Sequence, residues 1–160
     1  MSLGRTNFDD ISERDIQSLI DAGTPEGLLI EYKSALYGRS DADVKEFLKD
    51  TSSFANSHGG HLIIGVREED GTPIGFTPLS CDPDAEVLRL GNLFRDGVEP
   101  RVSGFQIRAI PVSGGVVLLI RVPRSWNPPH RVSARNTNRF YIRNSAGCHE
   151  ASVEELRALF

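Results

Sequence analysis

Phe54-Ala55-Asn56-Ser57-His58-Gly59-Gly60-His61-Leu62-Ile63-Ile64-Gly65-Val66 is the stretch that decides how this chain folds. Upstream of it, Val44, Phe47, Leu48, Thr51, Phe54 and Ala55 recur at helical spacing. They predict an amphipathic helix that opens at Ser40 or Asp41 and ends near His58. Gly59 suits the left-handed conformation that closes a helix, and Gly60 lets the next segment start close to the helix. His61 to Val66 is short and mostly apolar, as a central strand covered on both faces must be. The same turn has a chemical reading. Two successive glycines can present backbone N–H groups to an anion, so Gly59 and Gly60 form a candidate phosphate-approach turn.

Working outward, Ser12 and Asp15 match a capping box for a helix that runs to Ala22 and stops at Gly23. Leu28 to Lys33 reads as a strand. Asp70-Gly71 is a turn signal. Asp82-Pro83 opens a third helix that Gly97 closes. Gly104 to Val112 and Gly115 to Val122 read as two strands joined at Ser113-Gly114, the second ended by Pro123. Arg139 to Arg143 is a further strand, and Ser152 with Glu155 opens a final helix. Hairpins and crossovers alternate in this order. The expectation is one α+β domain over residues 1–160, with a mixed β-sheet flanked by helices.

The 160 residues suit one domain, and no apolar run reaches the ~18 residues needed to cross a bilayer. No secretory signal is visible, and Cys81 and Cys148 are too few for a disulfide framework, so a reduced, cytoplasmic protein without a membrane partner is expected. The net charge of -4 conceals an asymmetry. Eight arginines and no Asp, Glu or Lys lie between Pro100 and His149, which leaves an excess of 12 acidic charges elsewhere. Screening acts over ~8 Å at physiological salt, so local charge decides what binds. In the strand Arg139 to Arg143, alternation puts Arg139, Tyr141 and Arg143 on one face and Phe140 and Ile142 on the other. Guanidinium groups grip phosphate, and a tyrosine between them is a stacking surface for bases. The competing reading is an edge strand kept soluble by arginine. Trp126 is either a base-stacking residue or a rim aromatic packed on Pro128 and Pro129. His58, His61, His130 and His149 lack metal-ligand spacing.

Glu31-Tyr32-Lys33, the helix ending in Phe54-Ala55-Asn56, then Gly59-Gly60 and Ile64-Gly65-Val66 resemble the Schlafen-type AlbA domain. Arg139-Phe140-Tyr141-Ile142-Arg143-Asn144-Ser145, followed by Ala151-Ser152 and a helix, resembles its C-terminal strand and helix. The resemblance covers about Glu26 to Phe160. It implies an AlbA-like fold and nucleic-acid binding, DNA above all, often as the N-terminal module of a bacterial transcriptional regulator. An older grouping with ATPases is not supported, because no G-x-x-x-x-G-K-[ST] loop is present and Lys33, Lys45 and Lys49 lie outside any glycine loop. Some proteins resembling this domain cleave structured RNA with three acidic residues. By position these fall on Glu26, Glu31 and Glu68, which would then be both the catalytic and the Mg- or Mn-binding residues. The family's third acid is an aspartate, and here it is Glu68. Five residues of straight strand span ~17 Å and put Glu26 and Glu31 on opposite faces, so a shared metal requires a bend near Pro25 or Gly27.

Three functions follow as expectations. The first is a nucleic-acid-binding module without a cofactor, contacting its ligand through Lys33, Arg131, Arg135, Arg139, Tyr141 and Arg143. The second is a Mg- or Mn-dependent endoribonuclease using Glu26, Glu31 and Glu68. The third is a non-catalytic homodimer whose exposed strands pair across a two-fold axis.

Overall fold

The computed structural model describes residues 3–160. Its helices are α1 (Glu13–Asp21), α2 (Asp41–Ala55), α3 (Pro83–Gly97) and α4 (Val153–Leu159). Its strands are β1 (Ile30–Lys33), β2 (Gly60–Ile64), β3 (Val66–Glu69), β4 (Thr72–Phe76), β5 (Val98–Glu99), β6 (Gln106–Val112), β7 (Gly115–Val122), β8 (Arg131–Val132), β9 (Arg139–Asn144) and β10 (Gly147–Glu150). The main sheet has the order β1-β2-β7-β6; β1 and β2 are parallel, joined through α2, and the other pairs are antiparallel. A second, antiparallel sheet has the order β10-β9-β8-β5, and β3 with β4 forms a separate hairpin. The fold is α+β with a mixed sheet, as the element order predicts.

The apolar strands are apolar because both faces of the main sheet are covered. Leu62, Ile64, Leu118 and Ile120 pack with Phe47, Leu48 and Phe54 of α2 and Leu90 and Phe94 of α3. Ile63, Val117 and Leu119 alternate to the other face, where Ile16 and Leu19 of α1 join Tyr32 and Ile110. Each such burial stabilises the fold by ~1.5–3 kcal/mol, so β2 and β7 anchor it. The predicted caps form: Ser12 and Asp15 make a capping box, as do Ser152 and Glu155.

Asn56 ties the second sheet to the first. It caps α2 and is 3% exposed. Its Nδ2 donates to the carbonyls of His130 (3.0 Å) and Tyr141 (2.9 Å), and its Oδ1 accepts from the His130 N–H (2.7 Å).

The strand expected to run through Val66 ends at Ile64. Gly65 has φ +112°, and a Cβ there would lie 2.8 Å from Val117 Cγ1, so the chain turns and Val66 enters the hairpin instead. Asp70 and Gly71, both at positive φ, form that hairpin's turn. The strand expected from Leu28 begins only at Ile30, and Leu29 is 53% exposed.

Candidate nucleic-acid interface

The eight arginines of the C-terminal half do not converge. Arg131 on β8 donates to Glu99 (2.6 Å), and Arg135 pairs with Asp41 at the start of α2 (3.0 Å). Arg139 on β9 donates to Glu150 of β10 (2.7 Å). Cross-strand partners share a face, so the pairing of Arg131 with Phe140 and of Val132 with Arg139 sends Arg131 and Arg139 to opposite faces. The expected cationic surface is therefore dispersed, and each of these guanidiniums already has a carboxylate.

Strand β9 is also turned over relative to the expectation. Tyr141 and Arg143 face α2, not solvent. Arg143 is 5% exposed. Its Nη2 donates to Glu31, its Nη1 to the Gly27 carbonyl (3.0 Å) and its Nε to Ser53 Oγ (3.2 Å). Its guanidinium carbon lies 4.0 Å from the centre of the Phe54 ring. Arg143 is thus a buried structural cation, and half-buried Tyr141 packs on the core.

The acidic trio fares differently. Because β1 begins at Ile30, the chain before it folds back, and Glu26 Oε1 accepts the N–H of Tyr32 (2.9 Å). This removes the straight-strand objection. A cleft of about 450 Å³ opens between β1, α2 and the β9–β10 hairpin, lined by Glu26, Glu31, Asp50, Asp70 and Arg143 among others. Glu68 reaches its edge by accepting the Gly71 N–H (2.7 Å). Burial pushes the Glu26 carboxyl above the usual range, and the neighbouring Glu31 and Glu68 carboxylates add to this against the Tyr32 N–H. Lys33 Nζ lies 3.4 Å from Asp50, 3.5 Å from Glu31 and 3.9 Å from Glu46. It is therefore held by acids and not offered to a phosphate. Asp50 accepts from Tyr37 Oη (2.6 Å), and burial next to Glu31 pushes its carboxyl up to about 6.

The carboxylates do not fit a divalent cation in this arrangement. Glu31 is taken by Arg143 and Lys33, Glu26 by the Tyr32 N–H and Glu68 by its own turn. Among the described residues, no three His, Cys, Asp or Glu side chains stand close enough to hold a metal.

The glycine turn is tight for a structural reason. Gly59 has φ +72°, and a Cβ would lie 2.7 Å from the Arg124 N and 2.9 Å from the Val122 O. A Cβ on Gly60 would lie 2.5 Å from the Leu29 O and the Phe54 ring. The Gly59 N–H donates to the Phe54 carbonyl (2.8 Å), so this member of the expected phosphate-approach turn is already engaged. The glycines instead place His58 and Arg124 at one cavity, and Trp126 follows Arg124 by two residues. Arg124, its main chain against Gly59, is exposed, and among the described residues its side chain has neither a carboxylate nor a hydrogen-bond partner. His58 beside it is exposed as well. Trp126 is 99% exposed, so it does not pack on Pro128 and Pro129. The main chain on either side of it is anchored: the Ser125 N–H donates to the Ala55 carbonyl (3.0 Å), and the Asn127 N–H to Ser125 Oγ (3.1 Å). A cavity of about 470 Å³ opens at this turn, with His58 and Arg124 on its wall. In the sequence, Arg124 was visible only as one arginine among eight.

Two solved structures share the fold. The N-terminal domain of a RecG-related protein of Nitrosomonas europaea aligns with a TM-score of 0.60 at 22% identity, covering 84% of this chain and 88% of that one. The DIP2311 protein of Corynebacterium diphtheriae aligns with a TM-score of 0.54 at 18% identity. That match covers 90% of this chain but only 28% of the diphtheria protein. Residues 26–152 match the family described as Schlafen, AlbA_2, and with most of its length inside that match the chain belongs to the Schlafen AlbA_2 family.

Proposed function

We propose that this domain binds nucleic acid, with DNA the expected polymer, as one module of a longer regulatory protein. The observation that carries the reading is an uncompensated cation, Arg124, followed two residues later by a fully exposed aromatic, Trp126, at the glycine-turn end. A guanidinium free of carboxylates attracts phosphate, and an exposed indole offers a stacking face. Family membership supports the same reading. So does the Nitrosomonas protein, described as a candidate ATP-dependent DNA helicase relative.

The test is fluorescence anisotropy of a labelled oligonucleotide against salt. Arg124 and exposed Arg5, which follows cavity-lining Gly4, have neither a carboxylate nor a hydrogen-bond partner among the described residues, whereas cavity-lining Arg121 is held by His61 and two main-chain carbonyls. Two phosphate contacts predict a slope of log affinity on log salt of about -1.4 to -1.8. Arg124→Ala halves it. A slope near -4 would restore the β8–β9 arginines as the contact surface, and no binding would reject the function.

One observation supports a second reading, a metal-dependent endoribonuclease: Glu26 and Glu31 line one cleft, and Glu68 is near enough to help raise the Glu26 carboxyl. Incubation with tRNA and Mn²⁺, comparing wild type with Glu31→Ala, decides it. With the carboxylates engaged as they are, no metal-dependent difference between the two is expected.

A further inference from the structure

The cavity at the glycine turn carries a directed polar group. His61 is 6% exposed and lines this cavity. Its Nε2 accepts from Arg121 Nε (2.9 Å). Arginine has only donors, so Nε2 must be the bare nitrogen, and the ring's proton sits on Nδ1. Burial, with the Arg121 charge beside it, pulls the imidazolium down to about 4, so the ring is neutral at physiological pH. Nδ1–H has no partner among the described residues. His61 lines the cavity, so this N–H is the ring donor left for a ligand bound there. Arg121 is itself locked, its Nη2 donating to the Leu3 (2.7 Å) and Thr6 (2.8 Å) carbonyls, so the donor cannot swing away.

Around that donor the wall is mainly apolar, with Leu3, Leu19, Leu29 and Ile30, and Arg124 stands at its rim. A flat, mostly apolar ligand with a hydrogen-bond acceptor on its edge and a negative charge attached suits this arrangement. An aromatic plate, Trp126, lies two residues beyond the rim.

We infer that the cavity takes one unpaired nucleobase of a single strand, its edge acceptor on His61 Nδ1–H, its phosphate on Arg124 and the adjoining base on Trp126. This rests on the nucleic-acid reading and sharpens it: the ligand is single-stranded, or locally opened, and not an intact duplex, whose bases are stacked and paired.

Trp126 is the only tryptophan in the chain, which makes it a native reporter. The experiment titrates the full chain with three probes of equal length: a twelve-nucleotide thymidine strand, a twelve-base-pair duplex, and an abasic strand with the same phosphates and no bases. The expected result is quenching of Trp126 by the thymidine strand, with affinity at least tenfold above the duplex and the abasic strand. Trp126→Ala and Arg124→Ala change exposed positions, so neither endangers folding. Loss of stacking in Trp126→Ala, read by anisotropy, lowers affinity by about 5- to 150-fold. Equal affinity for the thymidine and abasic strands, or for the duplex, would overturn the inference and leave nucleic-acid binding intact. Failure to bind all three probes would overturn both.

Discussion

Replacing Asn56 by alanine should be among the most damaging single changes in the chain, although the residue lies in neither candidate site. The amide makes three hydrogen bonds, to His130 N, His130 O and Tyr141 O, between 2.7 and 3.0 Å. Its partners lie 74 and 85 residues away, so each bond closes a long loop. A net contribution of about 1 kcal/mol per bond gives ~3 kcal/mol, and leaving three buried backbone groups unpaired raises the loss towards ~5 kcal/mol. Urea unfolding followed by circular dichroism measures it, and ~3 kcal/mol corresponds to a fall in Tm of roughly 6–12 °C for a chain this long. Asn56→Asp is the sharper comparison. It keeps one acceptor for the His130 N–H but sets a carboxylate against two carbonyl oxygens, so it should be at least as damaging as alanine near neutral pH. If Asn56→Ala lost less than about 1 kcal/mol, or if aspartate were tolerated, the clamp would not be what joins the two sheets.

Three further perturbations test other parts of the fold. Gly59→Ala places a Cβ 2.7 Å from the Arg124 N at a φ of +72°, and should cost about 2 kcal/mol or more in a thermal melt; an unchanged Tm would mean the turn can relax. Glu31→Gln should cost about 3–5 kcal/mol, because it strands buried Arg143, and Arg143→Met less, because partly buried Glu31 keeps Lys33, whereas the double variant should lose less than their sum in a denaturation cycle. Additive losses would show that the pair is not coupled. Asp50→Asn tests the cleft's electrostatics. The Asp50 carboxyl rises on folding from 3.8 to about 6, so the folded chain holds the extra proton between those values and its stability falls as pH rises through that window. The asparagine variant should match wild type near pH 4 and gain on it up to about pH 6.5, by ~2–3 kcal/mol. A difference that stays flat with pH would refute the assignment.

What the sequence made legible is what depends on near neighbours. The α2–Gly59–Gly60–β2 unit, the capping boxes and the Asp70-Gly71 turn are each set by a few adjacent residues, and all form. Strands β5 and β8, two residues each, and β10, four residues, carry no periodicity to read, because their pairing is fixed by partners distant in the chain. Strand β9 shows the limit of alternation. The pattern sorted its residues correctly into two faces but could not say which faced inward. Arginine on a buried face looked excluded, since an unpaired buried charge is costly. Glu31, the Gly27 carbonyl, Ser53 and the Phe54 ring satisfy the guanidinium together, and none of the four can be tied to Arg143 from the sequence.

The same reasoning explains why counting arginines misplaced the interface. A run without acidic residues says nothing about which carboxylates the fold brings alongside, and here Glu99, Asp41 and Glu150 come from three separate elements to meet Arg131, Arg135 and Arg139. Exposed pairs of this kind are worth ~0–1 kcal/mol each. They do little for stability, yet they remove most of the local potential that would draw a phosphate in. Arg124 escapes because Pro123 follows the end of β7 and Gly59 seats its backbone against the end of α2, at a corner where no carboxylate among the described residues reaches it. The direct check is charge reversal at both places. Arg131→Glu and Arg139→Glu should weaken oligonucleotide binding only modestly, through long-range repulsion that salt suppresses. Arg124→Glu should abolish measurable binding at every salt concentration. The opposite ranking would return the interface to the strand where the charge count first put it.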